Sequence, residues 1–303
     1  MSDVSYTISP QVKLELERIE GARKEILTLL LSREKEKQAR WDANIERTSF
    51  ASRLTDEKLK KMDVEKIVNP FARPRALSET EGYFKAYLWI DNKWFLNDKA
   101  LVFSDIKKLL VLSGFSGAIN NEQITKAVEF VQVTPEHPIV QAAIIFCFLY
   151  NLIEAKDSIK TLIMLSNIFI YKGGYDFRGM LILEEFFAED LVHLKKLLEE
   201  SYSKNNMAGF IEYFVQATSI QAERAVNKLK SYRTMTTNLF LLTERQKEIM
   251  TLFDKPGAKI TNRKVQKEFG ISQITASRDL AKINALGYIY KNGRGRSVYY
   301  TKF

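Results

Sequence analysis

Apolar residues recur at helical spacing, with charges between them, over most of the first 242 residues. In residues 10–40, Val12, Leu16, Ile19, Ile26, Leu29 and Leu30 follow one another at mixed three- and four-residue steps, which predicts a helix with one apolar face. A coiled coil needs several sustained heptads, so this is read as a packing helix of a globular bundle. Two prolines, Pro70 and Pro74, break the helical run and make residues 69–75 a loop. Further helices are expected over residues 78–92 and 103–112, the second stopped by Ser113-Gly114-Phe115-Ser116-Gly117. Thr134-Pro135-Glu136-His137-Pro138 then offers a cap and early-helix prolines ahead of the apolar run 140–153. That run is interrupted by Gln141 and Asn151 and is shorter than the roughly 18 residues of a membrane span, so it is expected to be a buried helix. Residues 157–171 form a second buried helix ended by Lys172-Gly173-Gly174, and helices over 183–202 and 209–232 complete the pattern. There is no internal repeat or low-complexity tract.

The last segment has a different grammar. Thr243 and Gln246 form a capping box that opens an amphipathic helix through Phe253, and Pro256-Gly257 stops it. Thr261 caps a second helix that ends at Gly270, and Ser272 caps a third that runs to Leu286. Tyr288-Ile289-Tyr290 and Ser297-Val298-Tyr299-Tyr300 then read as two strands around Lys291-Asn292-Gly293-Arg294-Gly295-Arg296.

Composition sharpens this division. The 303 residues carry 46 Lys and Arg against 37 Asp and Glu, a net charge of +9. Residues 243–303 hold 13 Lys and Arg against 5 Asp and Glu, so +8 of the excess lies in the last fifth of the chain. A small basic module is therefore attached to a larger, nearly neutral one, which points to an anionic partner. With 46% hydrophobic and 12% aromatic residues, the chain can bury sizeable cores, which excludes wholesale disorder. A single cysteine, Cys147, excludes an internal disulfide and fits a reducing, cytoplasmic compartment. No Cys/His grouping has zinc spacing, so no metal is expected, and no secretory signal or membrane partner is expected either.

Two short helices joined by Phe269-Gly270-Ile271 and followed by a basic hairpin make a winged helix-turn-helix pattern. In such modules the third helix enters the major groove and the wing meets the backbone or minor groove. That places Ser272, Gln273, Thr275 and Arg278 toward base edges or phosphates, with Arg294 and Arg296 on the wing. Gln and Arg can make bidentate contacts to purine edges, and double-stranded DNA is the expected partner. Ile271, Ile274, Leu280, Ile283 and Leu286 are expected in the core. Winged helices also serve as protein-interaction modules, and a basic helix face can be merely solvated.

The stretch His137-Pro138-Ile139-Val140-Gln141-Ala142-Ala143, the segment 161–175 (TLIMLSNIFIYKGGY) and Asp176-Phe177-Arg178-Gly179 resemble the core of the Fic family. A segment like Ile211-Glu212-Tyr213-Phe214 precedes a C-terminal winged helix in many members, and residues 41–55 and 78–90 match more loosely. The resemblance implies a mainly α protein: an N-terminal helical region (1–75), an all-helical Fic-like core (76–235) and a small α/β winged helix-turn-helix domain (236–303). It also implies an enzyme that moves AMP from ATP to protein hydroxyls. The family's signature is His-Pro-Phe-x-Asp/Glu-Gly-Asn-Gly-Arg, in which the His is a general base, the acid holds a metal and the glycines cradle phosphates.

Aligning on Asn167 and Gly174-Tyr175 lays residues 152–160, LIEAKDSIK, over that signature. Leu152 cannot take a proton, Lys156 inverts the charge at the metal position, and Asp157 and Ile159 replace the glycines. Lys160 keeps a positive charge where Arg is expected, without its fork. His137 matches a structural His-Pro of the family, and His193 lies in a charged helix. The family's inhibitory helix motif, Ser/Thr-x-x-x-Glu-Gly/Asn, is also missing, with Phe50 at the glutamate and Ala51-Ser52 after it when aligned on Leu54-Thr55. The substrate-positioning flap has no recognisable counterpart in residues 114–133. Three expectations follow: a catalytically inactive Fic-like protein that binds DNA as a transcriptional regulator without a cofactor; a divergent nucleotidyltransferase that still binds nucleotide; or a protein-interaction scaffold. Two-fold operators make a homodimer the default for the first.

Overall fold

The computed structural model describes residues 5–54, 57, 59–69, 78–115, 117, 119–153, 159–234, 242–253, 258–286, 288–293 and 295–301. They are mainly helical and divide into two compact units, residues 1–29 with 40–229, and residues 30–39 with 230–303.

In the first unit, α1 (Pro10–Thr28) starts where the Ser9 side chain accepts from the Val12 amide, with Pro10 at the first helical position. Its buried stripe is Val12, Ile19, Ala22 and Ile26. The helix expected over residues 10–40 is broken at 29–32, and α2 (Arg33–Leu54) follows, its residues 40–54 counted with this unit. Two side chains terminate and restart it. The Thr28 hydroxyl donates to the Lys24 and Glu25 carbonyls at 3.2 and 2.9 Å, and the Ser32 hydroxyl accepts from the Lys35 amide at 3.4 Å. Leu30, expected on the apolar face, is 83% exposed.

The remaining helices of this unit are α3 (Lys61–Val68), α4 (Glu79–Trp94), α5 (Phe103–Leu112), α6 (Asn121–Val133), α7 (Pro138–Leu152), α8 (Ile159–Lys172), α9 (Leu183–Glu189), α10 (Leu191–Ser203) and α11 (Ala208–Thr234), the last counted with it as far as Leu229. Ser78 caps α4 and Asn120 caps α6. At the centre, α7 packs on α8 and α6, and α8 packs on α4. Every residue of α8 from Ile159 to Tyr171 is buried, which explains its near-continuous apolar run. Phe146 of α7 meets Phe187, Phe210 and Phe214 at ring-centroid distances of 6.0, 5.3 and 6.0 Å. Gly174 ends α8 at φ +73°, and a Cβ there would lie 2.6 Å from Leu96 Cδ2 and 2.9 Å from Arg23 Nη2. The helix expected over 183–202 is two helices. Asp190 at φ −127°, ψ 42° leaves the helical region, and its carbonyl accepts from the Leu194 amide to start α10. No described helix is long and apolar enough to cross a membrane.

The second unit contains α12 (Glu244–Thr251), α13 (Asn262–Phe269), α14 (Gln273–Ala285), β1 (Tyr290–Asn292) and β2 (Tyr299–Thr301). The strands pair antiparallel with Lys291 opposite Tyr300, and Ile260 adds a bridge to Tyr300 with reciprocal backbone bonds of 2.9 and 2.7 Å. Thr243 caps α12 through the expected box with Gln246, Thr261 caps α13, and Ser272 caps α14. Gly270 closes α13 in the left-handed region at φ +60°, a conformation that favours glycine. Ile249, Phe253, Ile260, Val265, Ala276, Leu280, Ile283, Ile289 and Tyr300 are among the residues that fill one apolar core.

Candidate functional site

Two places matter: the segment laid over the Fic signature, and the exposed face of α14. Leu152 is the last residue of α7 and Ile153 bridges to Ile119. Lys156 and Asp157 lie outside the described residues. Lys160 stands in the first turn of α8 with its side chain only 7% exposed, and its ammonium donates to Glu79 Oε2 at the start of α4. A second carboxylate supports this junction: Glu57 accepts from the backbone amides of Glu79 and Thr80 at 3.0 and 3.1 Å and from the Thr80 hydroxyl. Partial burial would raise the Glu57 carboxyl. The hydrogen bonds from Thr80 and Glu79 and the Lys160 charge outweigh it and hold the group below its usual range. The cation expected at the signature's Arg position is thus engaged by a carboxylate of the same unit.

Neither histidine stands at that junction. His137 caps α7 at the opposite end of a 15-residue helix, roughly 22 Å of rise away. Its Nδ1 accepts from the Ile139 amide at 3.2 Å, so Nε2 carries the proton and donates to Glu20 Oε1 at 3.1 Å. Tyr175 donates to the same carboxylate, its ring 4.8 Å from the imidazole, and Arg23 lies 4.5 Å above that ring. His193 is exposed on α10, its ring 5.2 Å from Tyr213. At the place of the inhibitory motif, Phe50 lies under the Arg53 guanidinium at 4.8 Å, and Ala51 and Ser52 are buried in α2. Thr55 lies outside the described residues.

In the second unit the Ser272 hydroxyl accepts from the Thr275 amide at 3.2 Å and lies 2.9 Å from the Thr275 hydroxyl, so both are engaged in capping α14. Thr275 is half-buried, while Gln273 and Arg278 are exposed. Arg294 and the side chain of Arg296 lie outside the described residues. Ile274, expected in the core, is 65% exposed, because the stripe that packs inward is Ala276, Asp279, Leu280 and Ile283. Leu280 and Ile283 are buried, and Ile271 and Leu286 pack partly buried against the same core.

Two supports were not legible in the spacing of residues. Asp279, 4% exposed, accepts from Arg245 Nε at 2.8 Å and Gln246 Nε2 at 2.6 Å, tying α14 to α12. Asn262 Nδ2 donates to the Gln273 carbonyl at 3.2 Å and to Ser277 Oγ at 2.7 Å, tying α13 to the start of α14. Asp279 is the single acidic residue of α14, and it faces inward. Arg278 and Lys282, together with Arg263, Lys264 and Lys267 on α13, are exposed and form no salt bridge among the described residues. This face can therefore attract an anion over an area rather than chelate one at a point.

No known sequence family matches the chain, and no curated protein does. Among solved structures, a Fic family protein from Desulfovibrio desulfuricans G20 matches with a TM-score of 0.56 at 13% identity, over 98% of this chain and 97% of that one. At that identity the likeness speaks for architecture, and the chain has a Fic-like, mainly helical fold.

Proposed function

We propose that this protein binds double-stranded DNA through α14 and the segment between its two strands, and acts as a transcriptional regulator whose Fic-like domain no longer transfers AMP. The observation that carries the reading is the outward face of α14. It offers Gln273 and Arg278 with unpaired cations beside them, while the helix's one carboxylate is turned inward. Phosphate contacts from such cations position a helix in the major groove, and Gln and Arg then read base edges. Loss of the transferase activity is supported by LIEAKDSIK at the signature position and by the engagement of Lys160 with Glu79. Because operators of winged-helix proteins are commonly two-fold, the acting species is proposed to be a homodimer.

Titration of fluorescent promoter duplexes, its own upstream region included, tests the reading. Log K should fall linearly with log salt, with a slope of roughly 0.9 per neutralised phosphate. Arg278→Ala and the pair Arg294→Ala, Arg296→Ala should each flatten it. Binding that is absent, or insensitive to salt, overturns the reading.

A further inference from the structure

Ile274 is an apolar β-branched residue placed one position into α14, and it is 65% exposed. With 3.6 residues per turn, Ile274 and Ala281 run along the middle of the outward face. Gln273 and Ser277 line one side of that row, and Arg278 and Lys282 the other, all of them exposed. The middle of a solvated helix face ordinarily holds polar residues, and an isoleucine there gains nothing from the core. Its neighbours restrict what can cover it. The cations beside it repel a basic surface and attract a polyanion, and the bonds from Asn262 hold the first turn of α14 in place.

We infer that Ile274 is a specificity-determining residue that packs on the C5-methyl group of a thymine in the major groove, so that the protein's target is B-form DNA carrying thymine at a defined position. This rests on the proposed DNA-binding function and extends it from backbone affinity to base choice. The thymine methyl is the one apolar group exposed by the bases in that groove, and apolar side chains are its usual partners. Gln273 and Arg278, flanking Ile274, are the residue types that take adenine and guanine edges beside it. A-form RNA offers neither the methyl group nor an open major groove.

The experiment starts from the full chain and duplexes selected from a randomised library. Each thymine of the selected site is then replaced in turn by deoxyuracil, which deletes the methyl group and preserves pairing. Burial of one methyl predicts roughly a fourfold loss of affinity at one or two positions. In Ile274→Ala the thymine and deoxyuracil duplexes should bind equally, with an unchanged salt slope and melting temperature, since the side chain is exposed and uncharged. If the protein binds the selected duplex but no thymine position responds, or Ile274→Ala keeps the full response, the assignment of Ile274 is overturned and DNA binding stands. If no duplex is bound at any salt concentration, the DNA-binding reading falls and this inference with it.

Discussion

Arg47 is 1% exposed, yet its guanidinium is almost fully engaged within α2, α4 and the turn before α9. It donates to Asn44 Oδ1 at 2.9 Å and to the Gly179 and Leu181 carbonyls at 3.1 and 2.7 Å, and it lies 3.9 Å over the Tyr87 ring. Glu184, equally buried, is 3.7 Å from its Nε and accepts from Tyr83. Burial holds the Glu184 carboxyl above its ordinary range even with Arg47 beside it. Arg47→Met would strand that carboxylate and should cost about 3–5 kcal/mol in urea denaturation. Adding Glu184→Gln should return on the order of 1 kcal/mol, because the second change removes the stranded charge. His137 and Glu20 set a different dependence. Burial lowers the His137 imidazole, so the folded state prefers the neutral ring, which is also the form whose Nδ1 can cap α7. Partial burial would raise Glu20, but hydrogen bonds from Tyr175 and His137 and the Arg23 charge outweigh it and lower the group. Glu136, the residue before His137, accepts from the Tyr6 hydroxyl. Both shifts act in one direction. Stability should fall as pH drops below about 6.5, where an unfolded histidine takes up its proton, and again below about 4.5 through Glu20. His137→Asn, which keeps a capping side chain, should flatten the melting temperature between those two values while leaving the lower step.

Helix starts follow from local chemistry. Ser9, Ser78, Thr243, Thr261 and Ser272 all cap as their types and positions indicate, because capping involves only the next three amides. For the same reason the helix-turn-helix order was readable from Gly270 and Ser272. The breaks at residues 29–32 and at Asp190 were not. Apolar spacing continues across both, and the Arg178 guanidinium that takes the Leu29 carbonyl at 2.9 Å comes from far along the chain. Residues 121–133, compared above with the family's flap, form α6, whose Ile124, Ala127, Val128 and Val131 make a regular buried stripe. On the outward face of α14, Gln273 and Arg278 are exposed, as polar residues at those positions indicate. Hydrophobicity alone points Ile274 inward, whereas helix phase puts Ala276 and Asp279 inside and leaves Ile274 exposed. Asn262 belongs to this scale, since it joins two elements. Asn262→Ala should cost roughly 1 kcal/mol in thermal unfolding. It should weaken DNA binding without changing the salt slope, because no charge is removed, which separates positioning from phosphate contact.

At the scale of the whole chain, the proposed function puts phosphate recognition in one of the two units. The basic excess of +8 lies in residues 243–303, while residues 152–160 offer a glycine-free segment whose described cation, Lys160, is paired with Glu79. A Fic-like cleft that held ATP with a Kd of about 10 µM would gain about 2.7 kcal/mol at 1 mM nucleotide. In a unit of this size that corresponds to several degrees of melting temperature. ATP with magnesium should give no shift, and Lys160→Ala should leave that result unchanged. A bound duplex should raise the melting temperature of the second unit at low salt and lose the effect as salt rises, because screening shortens the reach of its cations. Differential scanning calorimetry of the full chain with ATP, then with duplex, reads both arms. A shift with ATP that Lys160→Ala abolishes would return the nucleotide to the Fic-like domain, and a shift with duplex alone assigns phosphate recognition to the C-terminal module.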